Sequence, residues 1–288
     1  MASKTILILG GSGFVGSAMV QELASAKKRI YALINKTPIS NKLVHSISAN
    51  INDPADLLSK FSDKNIDTVI YSIGLLKESK QNKFSDFHFK WLRNAVFLAE
   101  QINAKRFILI SANGIDASPA SYSLTKLQGE QELKKSTLNW TILRPSLIIG
   151  ESTKFSFLSL LKQLTCFPIV PVIANTKPIQ PVLLSDLTRA LVSILENQAS
   201  TRRTYCICGP QKYSFSGLMF AYLQAKNINR LIVPIPNPFF LALSSILQNL
   251  PLFPASREQI QMLIDGNSCD DNTIWEATGI KPKDVFTN

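Results

Sequence analysis

A glycine-rich run close to the N-terminus is the feature that most constrains the fold of this chain. Its residues are Gly10-Gly11-Ser12-Gly13-Phe14-Val15-Gly16. The apolar segment Thr5–Leu9 precedes the run and has the β-branched content of a buried strand, and apolar residues recur at helical spacing after it. In a strand, turn and helix of this kind, glycines let a pyrophosphate approach the N–H groups at the start of the helix. We predict that all seven residues bind a dinucleotide, with Gly16 letting the helix pack closely on the strand; the alternative is an ordinary turn that binds nothing.

Apolar segments with strand character then alternate with segments of helical periodicity. The strand-like segments cover residues 29–34, 45–49, 67–71 and 106–111. Such alternation is typical of a parallel sheet with helices on both faces. We predict an α/β fold, a Rossmann-type doubly wound parallel sheet with a smaller C-terminal substrate lobe. The NAD(P)-binding core is predicted over residues 1–150, and residues 151–288 are expected to return to the core and form the lobe.

The end of the second strand indicates which dinucleotide is preferred. An Asp or Glu at this place would bind the ribose hydroxyls of NAD, but the chain has no acidic residue between Leu23 and Asn52. Asn35 and Lys36 stand there instead, and a lysine attracts a 2′-phosphate. We predict that both residues contact the cofactor and that NADP(H) is preferred over NAD(H). The alternative is that Lys36 is a solvated loop lysine.

The residues expected to carry chemistry lie at and after the strand of residues 106–111. Ser111 stands at its C-terminal end, the edge where ligands bind in open α/β sheets. Tyr122 and Lys126 are four residues apart in a predicted helix and therefore share one face. Because a neighbouring ammonium favours the phenolate, Lys126 is expected to lower the pKa of Tyr122. The preceding strand ends in Ser72-Ile73-Gly74, where the glycine permits close approach to a cofactor.

Together these motifs resemble the short-chain dehydrogenase/reductase superfamily, and within it the extended and atypical branch of NAD(P)-dependent epimerases and dehydratases. The chain is most similar to the atypical set that includes the nucleotide-binding accessory subunit of respiratory complex I and related quinone-biosynthesis proteins. The matching residues are the Gly10/Gly13/Gly16 spacing, Ser111, Tyr122-Ser123-Leu124-Thr125-Lys126, Leu143-Arg144-Pro145-Ser146-Leu147-Ile148-Ile149-Gly150 and Pro178-Ile179-Gln180-Pro181-Val182-Leu183-Leu184-Ser185-Asp186-Leu187.

The resemblance implies a role for each matching side chain. Tyr122 would be the acid/base, Lys126 its activator and ribose anchor, and Ser111 the residue that polarises a substrate carbonyl or hydroxyl. The cofactor-binding residues implied in addition are Asn50, Ile51 and Pro145.

Three positions depart from the family pattern. Leu9 replaces a threonine that often opens the glycine motif, and Asn50 replaces an aspartate near the adenine, although its amide can still hydrogen-bond the base. The short spacing between Ser111 and Tyr122 suits atypical members better than sugar-modifying enzymes. Several atypical members bind nucleotide firmly without demonstrated catalysis, so the triad alone does not establish turnover.

Charge and cysteine content limit the function classes. The net charge of +11 is spread along the chain, with no basic run longer than Lys27-Lys28-Arg29, so we predict no nucleic-acid partner. The four cysteines predict buried free thiols rather than a disulfide framework, and with only His45 and His88 as histidines we predict no metal site. His88 is expected to be a packed helix residue. The first strand begins almost at once, which leaves no room for a targeting peptide, and a cytoplasmic location is predicted.

The stretch 231–253 complicates this picture because it carries no charged residue and is strongly apolar. Its prolines leave an uninterrupted helix from about residue 239 to 250, which is shorter than the roughly 20 residues that a membrane span needs. The favoured interpretation is a buried helix of the substrate lobe. The alternative is a peripheral contact with a membrane, at its inner face, or with a partner protein.

Two functions remain open from the sequence. The first is an NADP(H)-dependent oxidoreductase or epimerase-like enzyme acting on a carbonyl or hydroxyl of a small apolar substrate. The second is a non-catalytic NAD(P)H-binding accessory or assembly subunit of a membrane complex of the respiratory complex I or quinone-biosynthesis type. The apolar residues expected around the substrate are Phe155, Phe157, Leu160, Phe167 and those of residues 231–253.

Overall fold

A computed structural model describes residues 4–34, 39, 41–151, 157–247, 257–271 and 273–286, and it contains eleven strands within these ranges. In chain order they are β1 (Thr5–Leu9), β2 (Arg29–Ile34), β3 (Val44–Ser48), β4 (Thr68–Tyr71), β5 (Arg106–Ile110), β6 (Trp140–Pro145), β7 (Ile148–Ile149), β8 (Ile169–Ile173), β9 (Val182–Leu183), β10 (Arg203–Ile207) and β11 (Leu231–Ile235).

Seven of these strands form one central sheet in the order β10-β6-β5-β4-β1-β2-β3, and every neighbouring pair is parallel. The chain winds outward in one direction from β1 to β3 and in the other from β4 to β10. The direction changes between β1 and β4, so a crevice opens at the carboxyl ends of these two strands. The predicted α/β fold with a doubly wound parallel sheet is therefore confirmed.

Helices cover both faces of this sheet, because its strands are apolar on both sides. Ile6 and Ile8 of β1 pack with one helical layer, whereas Leu7 and Leu9 pack with the other. A π-helical turn, Asp86–Lys90, precedes the third helix. The helices are α1 (Phe14–Ser25), α2 (Pro54–Phe61), α3 (Trp91–Gln101), α4 (Ser121–Lys135), α5 (Phe157–Leu164), α6 (Leu184–Glu196), α7 (Phe215–Ala225), α8 (Asn237–Leu247), α9 (Arg257–Asp265) and α10 (Thr273–Thr278).

The chain beyond residue 150 contributes both to the central sheet and to a separate small core. Strand β10 extends the sheet, and α6 and α10 pack in the layer that contains α1. The second core lies between the two-stranded parallel sheet β8–β11 and helices α5 and α7, with Leu161, Val170 and Met219 fully buried in it. The predicted domain boundary at residue 150 stays a prediction.

The predicted burial of the stretch 231–253 is wrong for part of the described residues, although Ile232, Phe240 and Leu241 pack partly buried against the small core. In β11, Leu231 is 62% exposed and Val233 is 38% exposed, and Phe239 at the start of α8 is 71% exposed. Phe167 was expected near the substrate but is 63% exposed. Residues 248–253 and Phe155 lie outside the described residues. No described helix is long and apolar enough to cross a membrane.

The expectation of four buried free thiols is also wrong. Cys208 and Cys269 form a disulfide across 61 residues, while Cys166 is free and exposed and Cys206 is free and half-buried. Cys208 directly follows β10, and the bridge fastens the segment after α9 to this end of the central sheet. The cytoplasmic location stays a prediction.

Candidate active site

A cavity of about 940 Å³ occupies the crevice at the carboxyl ends of β1 and β4. Gly11 and Gly16 are not among the residues that line it, and Asn35 and Lys36 lie outside the described residues. The other residues predicted for the site all line the cavity: Gly10, Ser12, Gly13, Phe14, Val15, Asn50, Ile51, Ser72, Ile73, Gly74, Ser111, Tyr122, Lys126 and Pro145.

The turn after β1 needs glycine for its backbone and for its packing. Gly10 has a φ of +97°, and a Cβ on it would lie 2.9 Å from the backbone nitrogen of Ile73. The Gly13 N–H donates to the Gly10 carbonyl at 2.9 Å, which closes the turn. A Cβ on Gly16 would lie 2.1 Å from that same carbonyl oxygen, so only glycine lets α1 start this close to β1.

The end of β4 is tied to the glycine turn and reaches toward the candidate catalytic lysine. The backbone N–H and the hydroxyl of Ser72 both donate to the Leu9 carbonyl, at 2.9 and 3.1 Å. A Cβ on Gly74 would lie 3.8 Å from the Lys126 Nζ. The loop after β4 therefore joins the two ends of the cavity that the sequence singles out.

Asn50 and Ile51 line the opposite end of the cavity, after β3. The Asn50 Oδ1 accepts from the backbone N–H of Asn52 at 3.1 Å, and the Asn50 N–H donates to Asp56 at 2.7 Å. These bonds fix the side chain of Asn50 beside the cavity. Its amide NH₂ can still donate a hydrogen bond to a base.

Ser111 follows β5 and is 5% exposed. Its backbone N–H donates to the Leu143 carbonyl at 2.8 Å and holds the residue at the sheet edge. Its hydroxyl is buried and has no hydrogen-bond partner within the described part of the chain. A buried hydroxyl without a partner is costly, and this one belongs to a residue that lines the cavity. A ligand oxygen beside it would satisfy the hydroxyl.

Tyr122 and Lys126 lie on the buried face of α4, as their spacing predicts. The Lys126 Nζ donates to the Ile110 carbonyl at 3.3 Å and lies 6.0 Å from the centre of the Tyr122 ring. Ile110 is the last residue of β5 and directly precedes Ser111. The helix and the strand end thus bring Ser111, Tyr122 and Lys126 to one wall of the cavity.

Burial controls the protonation of this pair. It raises the pKa of Tyr122 to about 12. It lowers the pKa of Lys126 to about 8, while the charge of Glu130 opposes that change. The expected lowering of the pKa of Tyr122 by Lys126 is therefore wrong, because the burial of the phenol outweighs the ammonium. At neutral pH Tyr122 is protonated and is suited to donate a proton.

His88 packs against this wall. It is 2% exposed, as its expected packed role requires, and its ring meets the Tyr122 ring edge-on at 5.1 Å. The Leu75 N–H donates to its Nε2 at 3.3 Å, so its Nδ1 carries the proton toward the Thr125 Oγ1 at 3.0 Å. Burial, followed by the charge of Lys126, lowers the pKa of His88 to about 2, which keeps the ring neutral.

A buried ion pair anchors the helix one turn further on, and sequence reasoning missed it. Glu130 is 1% exposed and accepts from Arg144 of β6 at 2.8 and 2.6 Å. Arg144 also pairs with Asp116, and the two carboxylates hold the pKa of its guanidinium above the ordinary value. The sequence signal was present in the spacing of Tyr122, Lys126 and Glu130, which continues one helix face.

The remaining wall of the cavity is mostly apolar and comes from the chain beyond β6. Sequence reasoning predicted Phe157 and Leu160 there, and both line the cavity. It missed the segment that includes Met262, which the disulfide and hydrogen bonds hold in place. The Asn113 Nδ2 donates to the Asn267 Oδ1 at 2.8 Å and to the Ser268 carbonyl at 3.0 Å. The apolar lining residues of this wall are Leu147, Ile148, Phe157, Leu160, Ile179, Met262 and Leu263.

The described residues fit a nicotinamide dinucleotide. The glycine turn is a cradle that a Cβ would fill, and the first turn of α1 carries no acidic residue that would repel a phosphate. The partnerless Ser111 hydroxyl lies at the other end of the cavity. Among the described residues no group of three or more His, Cys, Asp or Glu could hold a metal ion.

The chain is similar to several known proteins. The chain is 24% identical over 97% of its length to NADH dehydrogenase (ubiquinone) 1 alpha subcomplex subunit 9, mitochondrial, of Dictyostelium discoideum, covering 80% of that protein. It is 22% identical over 85% of its length to the ceramide reductase of Caulobacter vibrioides, covering 78% of that protein. The NADPH complex of the NADPH-dependent quinone oxidoreductase of Escherichia coli shares the fold, with a TM-score of 0.78 and 16% identity. The match covers 97% of this chain and 96% of that one.

A family model described as NAD(P)H-binding matches residues 10–160, which is more than half of the chain. The match begins at the first glycine of the turn and runs through Ser111, Tyr122, Lys126 and Pro145. The resemblance to the atypical reductases and epimerases, including the accessory subunit of respiratory complex I, is thereby confirmed. The chain belongs to the NAD(P)H-binding family.

Proposed function

We propose that the protein is an NADP(H)-dependent oxidoreductase that acts on a carbonyl or hydroxyl of a small apolar substrate. Residues 1–150 would form the cofactor-binding core, and the lobe formed by residues 151–288 would supply the substrate wall. The observation that carries the proposal is the buried Ser111 hydroxyl without a partner, on the same cavity wall as Tyr122 and Lys126.

Each of these side chains has a role that its surroundings support. The reduced dinucleotide supplies a hydride when bound. Tyr122 is protonated at neutral pH and would donate its proton to the carbonyl oxygen that becomes the product hydroxyl. The Ser111 hydroxyl would donate a hydrogen bond to the same oxygen. The Lys126 ammonium would stabilise the phenolate that Tyr122 leaves behind, until solvent protons restore it.

The apolar wall supports the proposed substrate class. Phe157, Leu160, Met262 and Leu263 offer no hydrogen bonds to a polar substrate, whereas a sugar nucleotide would require several. Two of the proteins compared above are named for apolar substrates, a ceramide and a quinone. We infer a substrate whose reacting carbonyl is its main polar group.

The preference for NADP(H) rests on the sequence after β2. Asn35 and Lys36 stand where an acidic residue would select NAD, and Lys36 would neutralise a 2′-phosphate. The quinone oxidoreductase with the same fold was solved with NADPH. Replacement of Lys36 by Asp should reverse the preference measured by titration with NADPH and NADH.

Steady-state assays with apolar quinones and long-chain ketones test the main proposal. Wild type should oxidise NADPH in the presence of at least one of them, and Tyr122→Phe should lower kcat at least about 100-fold. The control Tyr213→Phe removes a phenol that pairs with Asp284 outside the cavity and should retain activity. NADPH binding that survives in Tyr122→Phe would separate lost chemistry from lost folding. Equal turnover in wild type and Tyr122→Phe would refute the role given to Tyr122.

The second candidate is a non-catalytic NAD(P)H-binding accessory subunit of a membrane complex. The match to the Dictyostelium subunit and the exposed apolar residues of β11 and α8 favour it. In that case the protein would be peripheral at the inner face of a membrane, whereas as a free enzyme it would be cytoplasmic. Tight NADPH binding without turnover of any compound in the panel would favour this candidate.

A further inference from the structure

The outer face of the β8–β11 sheet is apolar and exposed toward the end at which the two strands begin. Ile169 pairs with Leu231 and Pro171 pairs with Val233 in the register of the two strands. Side chains alternate between the faces of a strand, so these residues share the outer face while Val170 and Val172 point into the small core. Ile169 is 53% exposed and Leu231 is 62% exposed. Water-facing positions of a sheet are ordinarily polar.

This outer face continues into the loop that leads to β8. Phe167 is 63% exposed and Pro168, next to it, accepts a hydrogen bond from the backbone N–H of Leu231 at 3.1 Å. Phe167, Ile169, Leu231 and Val233 are thus the exposed apolar residues at this end of the sheet. A contiguous apolar patch rimmed by polar groups marks an interaction surface.

Three cations lie in the segments that lead into the two strands of this sheet. Arg230 directly precedes Leu231, and its Nε donates to the Thr165 carbonyl at 2.9 Å. Lys162 and Lys226, at the ends of α5 and α7, are exposed. The sequence has no Asp or Glu in residues 152–185 or 197–257, which supply α5, β8, α7, β11 and α8. These five elements therefore present cations and no carboxylates, and an anionic bilayer offers both an apolar layer and negative charges to meet them.

We propose that the apolar face formed by Phe167, Ile169, Leu231 and Val233 docks on the surface of an anionic phospholipid bilayer, with Lys162, Lys226 and Arg230 held by lipid phosphates. The apolar side chains would enter the boundary between headgroups and acyl chains, without any span of the membrane. The proposal concerns the outside of the lobe and does not depend on turnover in the cavity.

Cosedimentation of the full chain with vesicles tests this surface. The probes are vesicles of phosphatidylcholine alone and vesicles that also contain phosphatidylglycerol. We expect binding to the anionic vesicles, weakened by added salt. The double variant Phe167→Ser and Leu231→Ser should lower the partition coefficient of the protein onto anionic vesicles at least about tenfold. Lys162→Gln with Lys226→Gln should lower it about thirtyfold, since each surface cation contributes about fivefold.

Matched variants on the helices that cover the central sheet are the controls. Phe97→Ser on α3 removes an aromatic side chain that is 41% exposed. The double variant Lys60→Gln and Lys135→Gln removes two exposed lysines, one on α2 and one on α4. These variants should bind vesicles like wild type, and NADPH affinity should be the same in all variants. No binding to anionic vesicles, or equal losses in face and control variants, would overturn the proposal. Capture of a protein by this face without lipid binding would overturn it too. Vesicle binding without turnover would contradict only the proposed enzyme.

Discussion

Replacing Lys126 by Met should stabilise the protein in the absence of ligands while it removes the proposed chemistry. The buried ammonium of Lys126 has a pKa of about 8, against 10.5 for an ordinary lysine. Each pH unit between these values corresponds to about 1.4 kcal/mol, so at pH 7 the charged side chain costs the folded state about 3 kcal/mol. Met is similar in length and carries no charge to bury.

The pH dependence identifies the source of this effect. Because the pKa of Lys126 is lower in the folded than in the unfolded state, its cost is fully present below pH 8. The cost disappears as the pH rises toward 10.5. The gain in unfolding free energy of Lys126→Met over wild type should therefore fall from about 3 kcal/mol at pH 7 to about 1 kcal/mol at pH 9.5.

Urea unfolding followed by circular dichroism at the two pH values measures this gain. Lys60→Met on α2 is the matched control, because an exposed lysine has no burial cost to relieve. The hydrogen bond from Lys126 to Ile110 is lost in the variant and reduces the gain at both pH values by a similar amount. A gain that is the same at pH 7 and pH 9.5, or one that grows with pH, would refute the assignment of the lowered pKa to burial of Lys126.

Three further predictions concern the cofactor turn, the disulfide and catalysis. Gly16→Ala places a Cβ 2.1 Å from the Gly10 carbonyl oxygen and should weaken NADPH binding at least about tenfold in calorimetric titration, whereas Ser17→Ala on the exposed side should not. Cys208→Ser should lower the unfolding free energy by up to about 4 kcal/mol, the entropy of closing a loop across 61 residues, and a thiol count should rise from two to three; unchanged stability would contradict the bridge. The rate of carbonyl reduction should fall as the pH rises through about 8, because Lys126 loses its charge, and Lys126→Arg should remove that fall; a flat wild-type profile would exclude Lys126 from the rate-determining step.

The nucleotide end of the site could be predicted because its signals are local. The turn needs a positive φ at Gly10 and no Cβ at Gly16, and the sequence shows both requirements directly because each position is a glycine. The shared face of Tyr122 and Lys126 follows from helical spacing alone. Strand and helix alternation predicts the parallel sheet for the same reason, since each strand and each helix is recognised from its own local pattern.

The features that the sequence did not predict depend on contacts between distant residues. His88 reaches Tyr122 across the packing of α4 on the π-helical turn, and Gly129 makes this possible, since a Cβ there would lie 2.1 Å from the His88 carbonyl oxygen. The pairing of Cys208 with Cys269 depends on where the chain after α9 returns. The pKa of Tyr122 was predicted in the wrong direction because spacing reveals the neighbouring charge but not the depth of burial.

The stretch 231–253 shows a different limit. Its apolar composition indicated burial, but in a two-stranded sheet only one face can pack on the small core. Composition cannot tell which apolar residues the fold leaves uncovered, and Leu231 and Val233 are on the uncovered side. That side is the surface for which we propose a lipid partner.

The most direct test of the central claim is a single-turnover experiment with NADPH deuterated at the transferred position of the nicotinamide. An apolar ketone that supports NADPH oxidation serves as substrate, because deuterium delivered to its carbonyl carbon does not exchange with water, and mass spectrometry measures the product. We predict that the product from wild type carries one deuterium and that Tyr122→Phe forms almost none while it still binds NADPH. Bound NADPH that never transfers its deuterium to any substrate of the panel would contradict the enzymatic account and leave a nucleotide-binding accessory protein.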